Sequence, residues 1–295
     1  MGSGNNNVNR ERLYRTEGII LHRTDFGEAD RLLIVFTPHL GRLRLLAKGA
    51  RKLTSRKAGH VEPFTYVHLF VARGRNLDIV SQVETLEVFR PLREDLERAS
   101  QAYYLAELIN GFIEEGDENQ PLFDLTLATL ARLCEARDPA LALRFFELRS
   151  LGLVGYQPQL HFCVECQAQL EPVTNYFYPP AGGVLCPRHG EAVQHAEPLA
   201  LPTFKVLRYM QTQPWDQVAN LHIKPETQLD LEAILQRYIV YLLERRLKSV
   251  DFIHRLRHEA QIADGRLRLQ GQSGFPQIFK SFCSNSINDD QRAIR

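Results

Sequence analysis

Four residues in the second half of the chain have the types and the spacing of a zinc site. Cys163 and Cys166 form a C-x2-C pair, Cys186 and His189 form a C-x2-H pair, and nineteen residues lie between the pairs. Two such pairs, each closed by a tight turn, can place four soft or borderline ligands around one tetrahedral ion. Because four protein ligands leave no position for a water molecule, the spacing predicts one structural zinc ion per chain.

The same residues allow other interpretations. His161 is close enough in sequence to replace one ligand, although it breaks the paired spacing. The cysteines could also be buried, reduced residues beside a surface histidine. The other two cysteines, Cys134 on an apolar helical face and Cys283 in a polar tail, are interpreted as unrelated to the metal.

A second group of residues could bind a polyanion through charge. The segment from Arg42 to Lys57 contains seven cations and no carboxylate, although the formal net charge of the whole chain is only +1. Such a stretch attracts polymers of opposite charge, and nucleic-acid backbone is the commonest of them. The alternative is a solvated loop kept flexible by self-repulsion. The seven cations are Arg42, Arg44, Lys48, Arg51, Lys52, Arg56 and Lys57.

The elements that position these cations are predicted to be strands. Between Tyr14 and Phe89, five runs rich in β-branched, leucine and aromatic residues are separated by turn-forming breakers. This pattern predicts a small barrel with Lys48–Pro63 as a long basic connection on its rim. Alternation along the third strand places Arg42 and Arg44 on the solvent side. The predicted strands are Gly18–His22, Arg31–Thr37, Arg42–Ala47, Thr65–Ala72 and Leu77–Phe89.

A five-stranded, partly open barrel with a cationic face is the layout of the oligonucleotide-binding (OB) fold. In that fold a groove follows the phosphates and aromatic rings stack on the bases. Phe36 and Phe70 sit inside apolar runs and are expected to pack in the core. Phe26 and Phe64 occupy breaker segments and are therefore the better candidates for stacking.

From about Pro91 the apolar residues recur at helical spacing, which predicts a helical bundle with Ser100 as a cap. Helices resume after the metal ligands, over Pro202–Gln211 and Leu229–Leu247, so the zinc module is predicted to be an insertion within a helical domain. The predicted fold class is multidomain α+β. Its parts are an OB barrel (13–90), a helical domain (91–158 and 198–258), a zinc-binding module (159–197), and an arm (1–12) and tail (259–295) that are either disordered or foreign to the native protein.

The composition and the absence of catalytic motifs limit the classes of function that the sequence allows. The apolar and charged fractions of this 295-residue chain are those of an ordinary globular protein. No apolar run approaches the roughly 18 residues that span a bilayer, and no hydrophobic signal core follows Met1, so a cytoplasmic location is expected. The chain has no phosphate-binding loop, no G-x-S-x-G elbow and no carboxylate cluster suited to magnesium. We therefore expect no enzymatic activity.

Four segments in the first ninety residues carry a family resemblance. They are Glu17–Leu21, Phe26–Arg31, Phe36–Gly41 and Ala47–Lys52, and together they resemble the N-terminal barrel of the RecO family of bacterial recombination mediators. The metal ligands, with Gly182 and Gly183 just before Cys186, look like the zinc element of that family. The resemblance covers roughly Tyr14 to Arg257. One position departs from it, because His189 stands where the family typically has cysteine, and histidine binds zinc with different softness.

The resemblance implies a function that spacing alone cannot show. RecO-like proteins bind single- and double-stranded DNA, anneal complementary strands and, with their partner RecR, help RecA load onto DNA coated by single-strand-binding protein, whose tail they contact. On this basis the chain is expected in the cytoplasm, associated with the nucleoid. The residues expected to contact DNA are the seven cations above together with Arg31, a weaker candidate on the adjoining strand.

Two rival classes of protein share some of these features. A zinc-ribbon factor of transcription or translation would also combine a barrel, basic residues and a metal knuckle, but it should show sequence preference. A metal-dependent nuclease would require magnesium-dependent strand cleavage. An assay of strand annealing without nucleotide separates the mediator from both.

Overall fold

The computed structural model describes residues 12–136, 138–253 and 255–256. Apart from Arg12, the predicted arm and the predicted tail with its Cys283 lie outside these residues. The described chain forms two compact units, the first from residues 12–37 and 42–88 and the second from Pro38–Gly41 and Phe89–Ile253. Strands dominate the first unit and helices the second, which confirms the predicted α+β class.

The first unit contains five strands that pair in the order β1, β2, β3, β5, β4 and close into a barrel. β1 pairs antiparallel with β2 through its second half and with β4 through its first half, and an irregularity near Ile20 and His22 separates the halves. β4 and β5 are antiparallel, whereas β3 and β5 are parallel. The strands are β1 (Leu13–Phe26), β2 (Asp30–Thr37), β3 (Gly41–Ala47), β4 (Thr65–Ala72) and β5 (Asp78–Val88).

The barrel core consists of alternate aliphatic side chains from these strands. In β3 every second residue is buried, so that Arg42 and Arg44 take the half-buried positions on the outward face, as the alternation predicts. The segment between β3 and β4 also contributes to this core through Ala50 and Val61, which are fully buried. The basic segment is therefore packed against the barrel at these points, which argues against a freely solvated loop.

The two aromatic residues proposed for stacking differ in the structure. Phe64 is 1% exposed, and its backbone N–H donates a hydrogen bond to the carbonyl of Ile20 at 2.7 Å. The prediction for Phe64 is therefore wrong, because its positive φ of 56° turns the chain back towards the core just before β4. Phe26 is 46% exposed at the end of β1 and stays a candidate.

The second unit begins with helices whose caps follow from their sequence. Asp95, Asn119 and Asp138 each accept a hydrogen bond from a backbone N–H in the first helical turn. The predicted cap Ser100 is wrong, since it lies inside a helix and donates to the carbonyl of Glu97. These helices are α1 (Pro91–Glu94), α2 (Leu96–Phe112), α3 (Gln120–Glu135) and α4 (Pro139–Leu153).

This unit also contains a small three-stranded sheet, a 3-10 turn and further helices. The predicted last helix ends earlier than expected, at Leu243, because Glu244 adopts a left-handed conformation. No helix in the described ranges is both long and apolar enough to cross a membrane. The elements are β6 (Asn175–Tyr178), a 3-10 turn (Pro179–Ala181), β7 (Gly183–Leu185), α5 (Pro187–Gly190), β8 (Glu197–Leu199), α6 (Leu201–Thr212), α7 (Trp215–Val218) and α8 (Pro225–Leu243).

A charged pair is buried among the helices of this unit. Arg144 and Glu147 lie one turn apart on α4 with 3.0 Å between Nη2 and Oε1, and their side chains are at most 3% exposed. Tyr104 of α2 and Glu232 of α8 face the same pair. Burial raises the pKa of Glu147 to about 7, even though Arg144 and the Tyr104 hydroxyl lower it. The carboxyl of Glu147 is thus largely desolvated.

This pair predicts a pH dependence of stability. With a pKa raised from 4.5 to about 7, Glu147 binds a proton more tightly in the folded chain, so its stabilising contribution is full below the lower value and is lost as pH rises through 7. We expect the free energy of unfolding of wild type, relative to Glu147→Gln, to fall over this window and to level off above it. Urea denaturation at a series of pH values measures the difference.

The exposed residue Glu135 provides the control for this measurement. Its replacement by Gln should leave the pH profile of wild type unchanged, since its carboxylate is in contact with water. Parallel profiles for wild type and Glu147→Gln would contradict the assignment of a raised pKa.

Candidate metal centre and nucleic-acid interface

The first pair of metal ligands lies on a tight turn. The backbone N–H of Gln167 donates to the carbonyl of Cys163 at 2.9 Å, and the N–H of Cys163 donates to the carbonyl of Ala168 at 2.8 Å. Gln167 has a φ of 59°, which is the left-handed conformation that closes such a turn. The C-x2-C spacing therefore places both sulfur atoms on the same side of the turn.

The second pair lies at the start of a short helix. Pro187 follows Cys186 and begins α5, and the backbone N–H groups of His189 and Gly190 both donate to the carbonyl of Cys186. A proline suits this position because the first helical N–H has no partner within a helix. One helical turn thus carries both the sulfur of Cys186 and the imidazole of His189.

A close backbone contact brings the two pairs together. Val164, between the first two cysteines, donates its N–H to the carbonyl of Val184 in β7 at 3.0 Å. Gly183 lies so close to the carbonyl oxygen of Gln159 that a Cβ atom at this position would be 2.7 Å from it. Only glycine fits this contact without movement, which explains the glycine at position 183.

The four ligand atoms match the size of a tetrahedral zinc site. All of them lie within 4.8 Å of one another. His189 Nδ1 is 3.2 Å from Cys186 Sγ and 3.8 Å from Cys163 Sγ. Zinc bonds of about 2.3 Å to sulfur and 2.0 Å to nitrogen imply tetrahedral edges of about 3.5 to 3.8 Å. The predicted set of Cys163, Cys166, Cys186 and His189 is thus brought together in a form that fits one zinc ion.

The electrostatics of Cys163 favour the form of cysteine that binds metal. Burial raises the pKa of its thiol, but backbone N–H groups of Cys166, Cys186 and Glu165 stabilise the thiolate and bring the pKa down to about 6. The N–H of Cys186, for example, lies 3.4 Å from Cys163 Sγ. Burial raises the pKa of Cys186, which shares the site. A thiolate is the nucleophilic and metal-binding form, so Cys163 is prepared for an ion.

His161 is not part of this ligand cluster. Its Nδ1 lies 2.9 Å from Nη2 of Arg208 on α6, and burial together with that guanidinium lowers its pKa.

The small sheet also packs against the helices, since the ring of Phe177 in β6 lies edge-on against Tyr238 of α8 with 5.4 Å between centroids. The hydroxyl of Tyr238 donates to the carbonyl of Tyr156 at 3.1 Å. The segment that carries the metal ligands is therefore packed against α6 and α8.

The cations of the first unit differ in their availability. Lys48, Lys52 and Arg56 are exposed, and Arg44 is half-buried on the outward face of β3. None of these four forms an ion pair with any described residue. Arg42 also points outward from β3. Lys48, Lys52, Arg56 and Arg44 can therefore meet a solvent-borne anion without breaking an ion pair to a described residue.

Three other predicted DNA contacts are already engaged. Arg31 lies 3.1 Å from Glu62 and its side chain is only 16% exposed. Arg51 pairs with Asp25 at 3.4 Å and donates to the carbonyl of Gly27. Lys57 donates to the carbonyl of Val80 at 2.6 Å, and burial lowers its pKa. Each of these cations would have to leave a partner in order to bind phosphate, so their role in binding stays a prediction.

Sequence reasoning missed the two carboxylates because both lie outside the basic run. Asp25 could have been found from strand pairing, since the antiparallel register places it opposite Arg31. Glu62 follows the run by five residues and also binds Arg23 at 2.8 Å. Its pairing depends on how the segment between β3 and β4 folds back on β1 and β2, and no local sequence pattern predicts that folding.

A closed five-stranded barrel with outward cations, followed by a helical unit that carries a Cys3His cluster, defines a class of two-unit proteins with one candidate metal site among the described residues. Residues 12–89 match the family model described as Recombination protein O N terminal, and residues 93–251 match the one described as Recombination protein O C terminal. The chain therefore belongs to the RecO family of DNA repair proteins.

Curated relatives agree with this membership, and each of the three that follow is named DNA repair protein RecO. The protein of Roseiflexus sp. (strain RS-1) is 47% identical over 248 residues, which cover 84% of this chain and 87% of the relative. The protein of Desulforudis audaxviator is 38% identical, with 82% of this chain and 97% of the relative covered. A Dehalococcoides mccartyi protein is 36% identical, with 83% and 96% covered.

The metal centre predicts a measurable zinc content and a role in stability. We expect one zinc per chain by elemental analysis, and less than about a tenth of that in Cys163→Ser. Loss of the ion should lower the melting temperature, because the ligands hold together segments that pack on α6 and α8. Cys134→Ser is the matched control and should retain the metal, since Cys134 lies outside the cluster. A wild-type preparation without bound metal would refute the ligand assignment.

Proposed function

We propose that this chain is a non-enzymatic DNA-binding protein of recombinational repair. The observation that carries the proposal is the group of outward cations on the barrel, of which Arg44, Lys48, Lys52 and Arg56 lack an ion pair within the described residues. Membership of the RecO family makes DNA the polyanion to test. Charge on a surface of this kind attracts the phosphate backbone of any sequence.

The barrel is proposed to act as an OB fold. Its strand order and the cationic segment that joins β3 to β4 support this proposal. The phosphates would lie in a groove along the side chains of β3 and of that segment. Phe26, exposed beside the Arg51–Asp25 pair, is proposed to stack on a base. The eight predicted DNA contacts are then unequal, with Arg31, Arg51 and Lys57 contributing least because they are already engaged.

Annealing of complementary strands is proposed as the physical activity. Two strands repel each other through their phosphates, and a cationic surface that binds both lowers this repulsion while bases pair. The family resemblance further supports RecR and the tail of single-strand-binding protein as partners, and a functional link to RecA loading. The zinc is proposed to stabilise the second unit, since four protein ligands leave no position for a substrate.

The first prediction concerns the salt dependence of binding. If four to six cations meet single-stranded DNA, log affinity should fall against log salt with a slope of roughly 3 to 4, at about 0.7 per phosphate. Replacing both Lys48 and Lys52 by Ala should reduce the slope by roughly 1.4. Fluorescence anisotropy of a labelled oligothymidine at several salt concentrations measures it.

A charge-matched control uses two exposed lysines of the helical unit. The double variant Lys205→Ala, Lys224→Ala removes the same charge and should keep the wild-type slope. An equal loss of slope in both double variants would show that net charge, and not the barrel surface, governs binding.

The second prediction concerns the annealing of complementary strands. We expect the protein to accelerate the pairing of two complementary oligonucleotides without nucleotide, and to leave labelled DNA intact with magnesium present. Addition of EDTA separates a metal-dependent nuclease from a passive binder. Magnesium-dependent cleavage would remove the proposal in favour of the nuclease, while marked sequence preference in binding would favour the zinc-ribbon factor.

A further inference from the structure

We propose that the barrel carries a second single-strand-binding surface, distinct from the basic run and built from arginine side chains stacked on aromatic rings. This arginine–aromatic surface rests on the proposed function, because it assumes that the barrel binds nucleic acid. It combines the start of β1 with the end of β4 and the hairpin after it. Its residues are Arg12, Tyr14, Arg15, Phe70, Arg73 and Arg75.

Strand pairing assembles this surface from distant parts of the sequence. The register between β1 and β4 places Arg15 opposite Phe70 on the outward face, and Tyr14 opposite Val71 on the other face, where the Tyr14 ring packs against the barrel core. The backbone N–H of Arg73 extends the ladder by donating to the carbonyl of Arg12 at 3.0 Å. Arg12 and Arg73, which are far apart in the sequence, thus become neighbours at one end of the barrel.

Two of the arginines are oriented by the rings beneath them. The Cζ atom of Arg15 lies 4.7 Å from the centroid of Phe70, and that of Arg73 lies 5.0 Å from the centroid of Tyr14. A guanidinium stacked on a ring keeps its N–H edge available for a phosphate, and its outer face can stack on an unpaired base. Because the side chains are already ordered, less conformational entropy is lost when a strand binds.

The charges of this surface are uncompensated within the described chain. Arg12, Arg15, Arg73 and Arg75 are all exposed, and none forms an ion pair with a described residue. The nearest carboxylates are occupied by other groups. Asp78 accepts hydrogen bonds from the Tyr14 hydroxyl and the Gly74 N–H, both at 2.9 Å.

The other carboxylate is that of Glu17, which lies on the same face of β1 as Arg15 and accepts a hydrogen bond from the Tyr66 hydroxyl. Asp78 therefore has neutral donors as partners, whereas Glu17 also lies 3.9 Å from Nε2 of His68. They reduce the positive field at this edge of the barrel but leave the four guanidiniums free of contact ion pairs.

The chemistry of this surface selects a single strand as its occupant. Arginine side chains beside aromatic rings suit a flexible polymer that offers both phosphates and unstacked bases, whereas a duplex offers phosphates alone along its edge. The connection between the fourth and fifth strands, which carries Arg73 and Arg75, is also one of the loops through which OB barrels bind oligonucleotides. A barrel with two such surfaces can hold two segments of DNA at once, which annealing requires.

The test removes three arginines and compares the result with the basic run. We expect the triple variant Arg15→Ala, Arg73→Ala, Arg75→Ala to reduce the salt slope for oligothymidine by roughly 2, at about 0.7 per contact. The triple variant with Lys at the same positions should keep the slope but bind roughly two- to fivefold more weakly, because lysine neither stacks flat nor pairs bidentately. A helical-unit triple, Lys205→Ala, Lys224→Ala, Arg246→Ala, controls for charge and should keep the wild-type slope.

Three outcomes would overturn the inference, and the first two are distinguishable from failure of the proposed function. A normal slope in the arginine triple, with a reduced slope in Lys48→Ala, Lys52→Ala, leaves DNA binding intact and removes this surface from it. A normal slope combined with lost binding of a labelled polyglutamate peptide assigns the surface to an acidic peptide. Wild type that binds no oligothymidine at low salt ends both proposals.

A folding control keeps the test interpretable. Melting temperatures by circular dichroism should match wild type for the single variant Arg75→Ala, whose side chain is exposed and forms no ion pair with a described residue. This variant alone should reduce the slope by roughly 0.7. A single variant that folds normally and binds with the wild-type slope counts against the surface even where the triple variant unfolds.

Discussion

Ion pairing decides which cations of this barrel can meet a phosphate. A guanidinium that already touches a carboxylate must give up that contact before it can bind an external anion, so the two attractions largely cancel. Arg31 and Arg51 are in this position, through Glu62 and Asp25. Lys48 and Lys52 are not, although they belong to the same run of sequence. The proposed DNA-binding surface is therefore smaller than the basic run, and it depends on which carboxylates lie on the neighbouring strands.

The long first strand determines where both cationic surfaces lie. One half of β1 pairs with β2 and the other half with β4, so its two ends lie beside different strands of the barrel. At its end, the turn after Phe26 is tied to the basic segment by a hydrogen bond from the Arg51 N–H to the Ala29 carbonyl. At its start, Arg15 stacks on Phe70. Closure of the barrel thus builds two separate surfaces from one continuous strand, and neither requires a flexible loop.

Much of this arrangement could be predicted from sequence because it depends on local pattern. Alternation predicted the outward face of Arg42 and Arg44, and the paired spacing predicted the cluster of Cys163, Cys166, Cys186 and His189. What could not be predicted depends on non-local pairing. Phe64 is buried because the chain reverses before β4, and the arginines at either end of the β1–β4 ladder are far apart in sequence. Ser100 failed as a cap because Asp95, five residues earlier, accepts the helical N–H first.

The metal centre is proposed to serve stability and not DNA contact, and its ligand set supports this division. Three thiolates and one neutral imidazole around Zn²⁺ leave a net charge near −1, compared with −2 for four thiolates. A residual negative charge repels phosphate, so the knuckles would hinder binding if they faced DNA closely. Their contacts run instead to the helices of their own unit, where Phe177 packs on Tyr238 and His161 meets Arg208. Histidine at position 189 lowers the charge that this unit must accommodate while it keeps the tetrahedron closed.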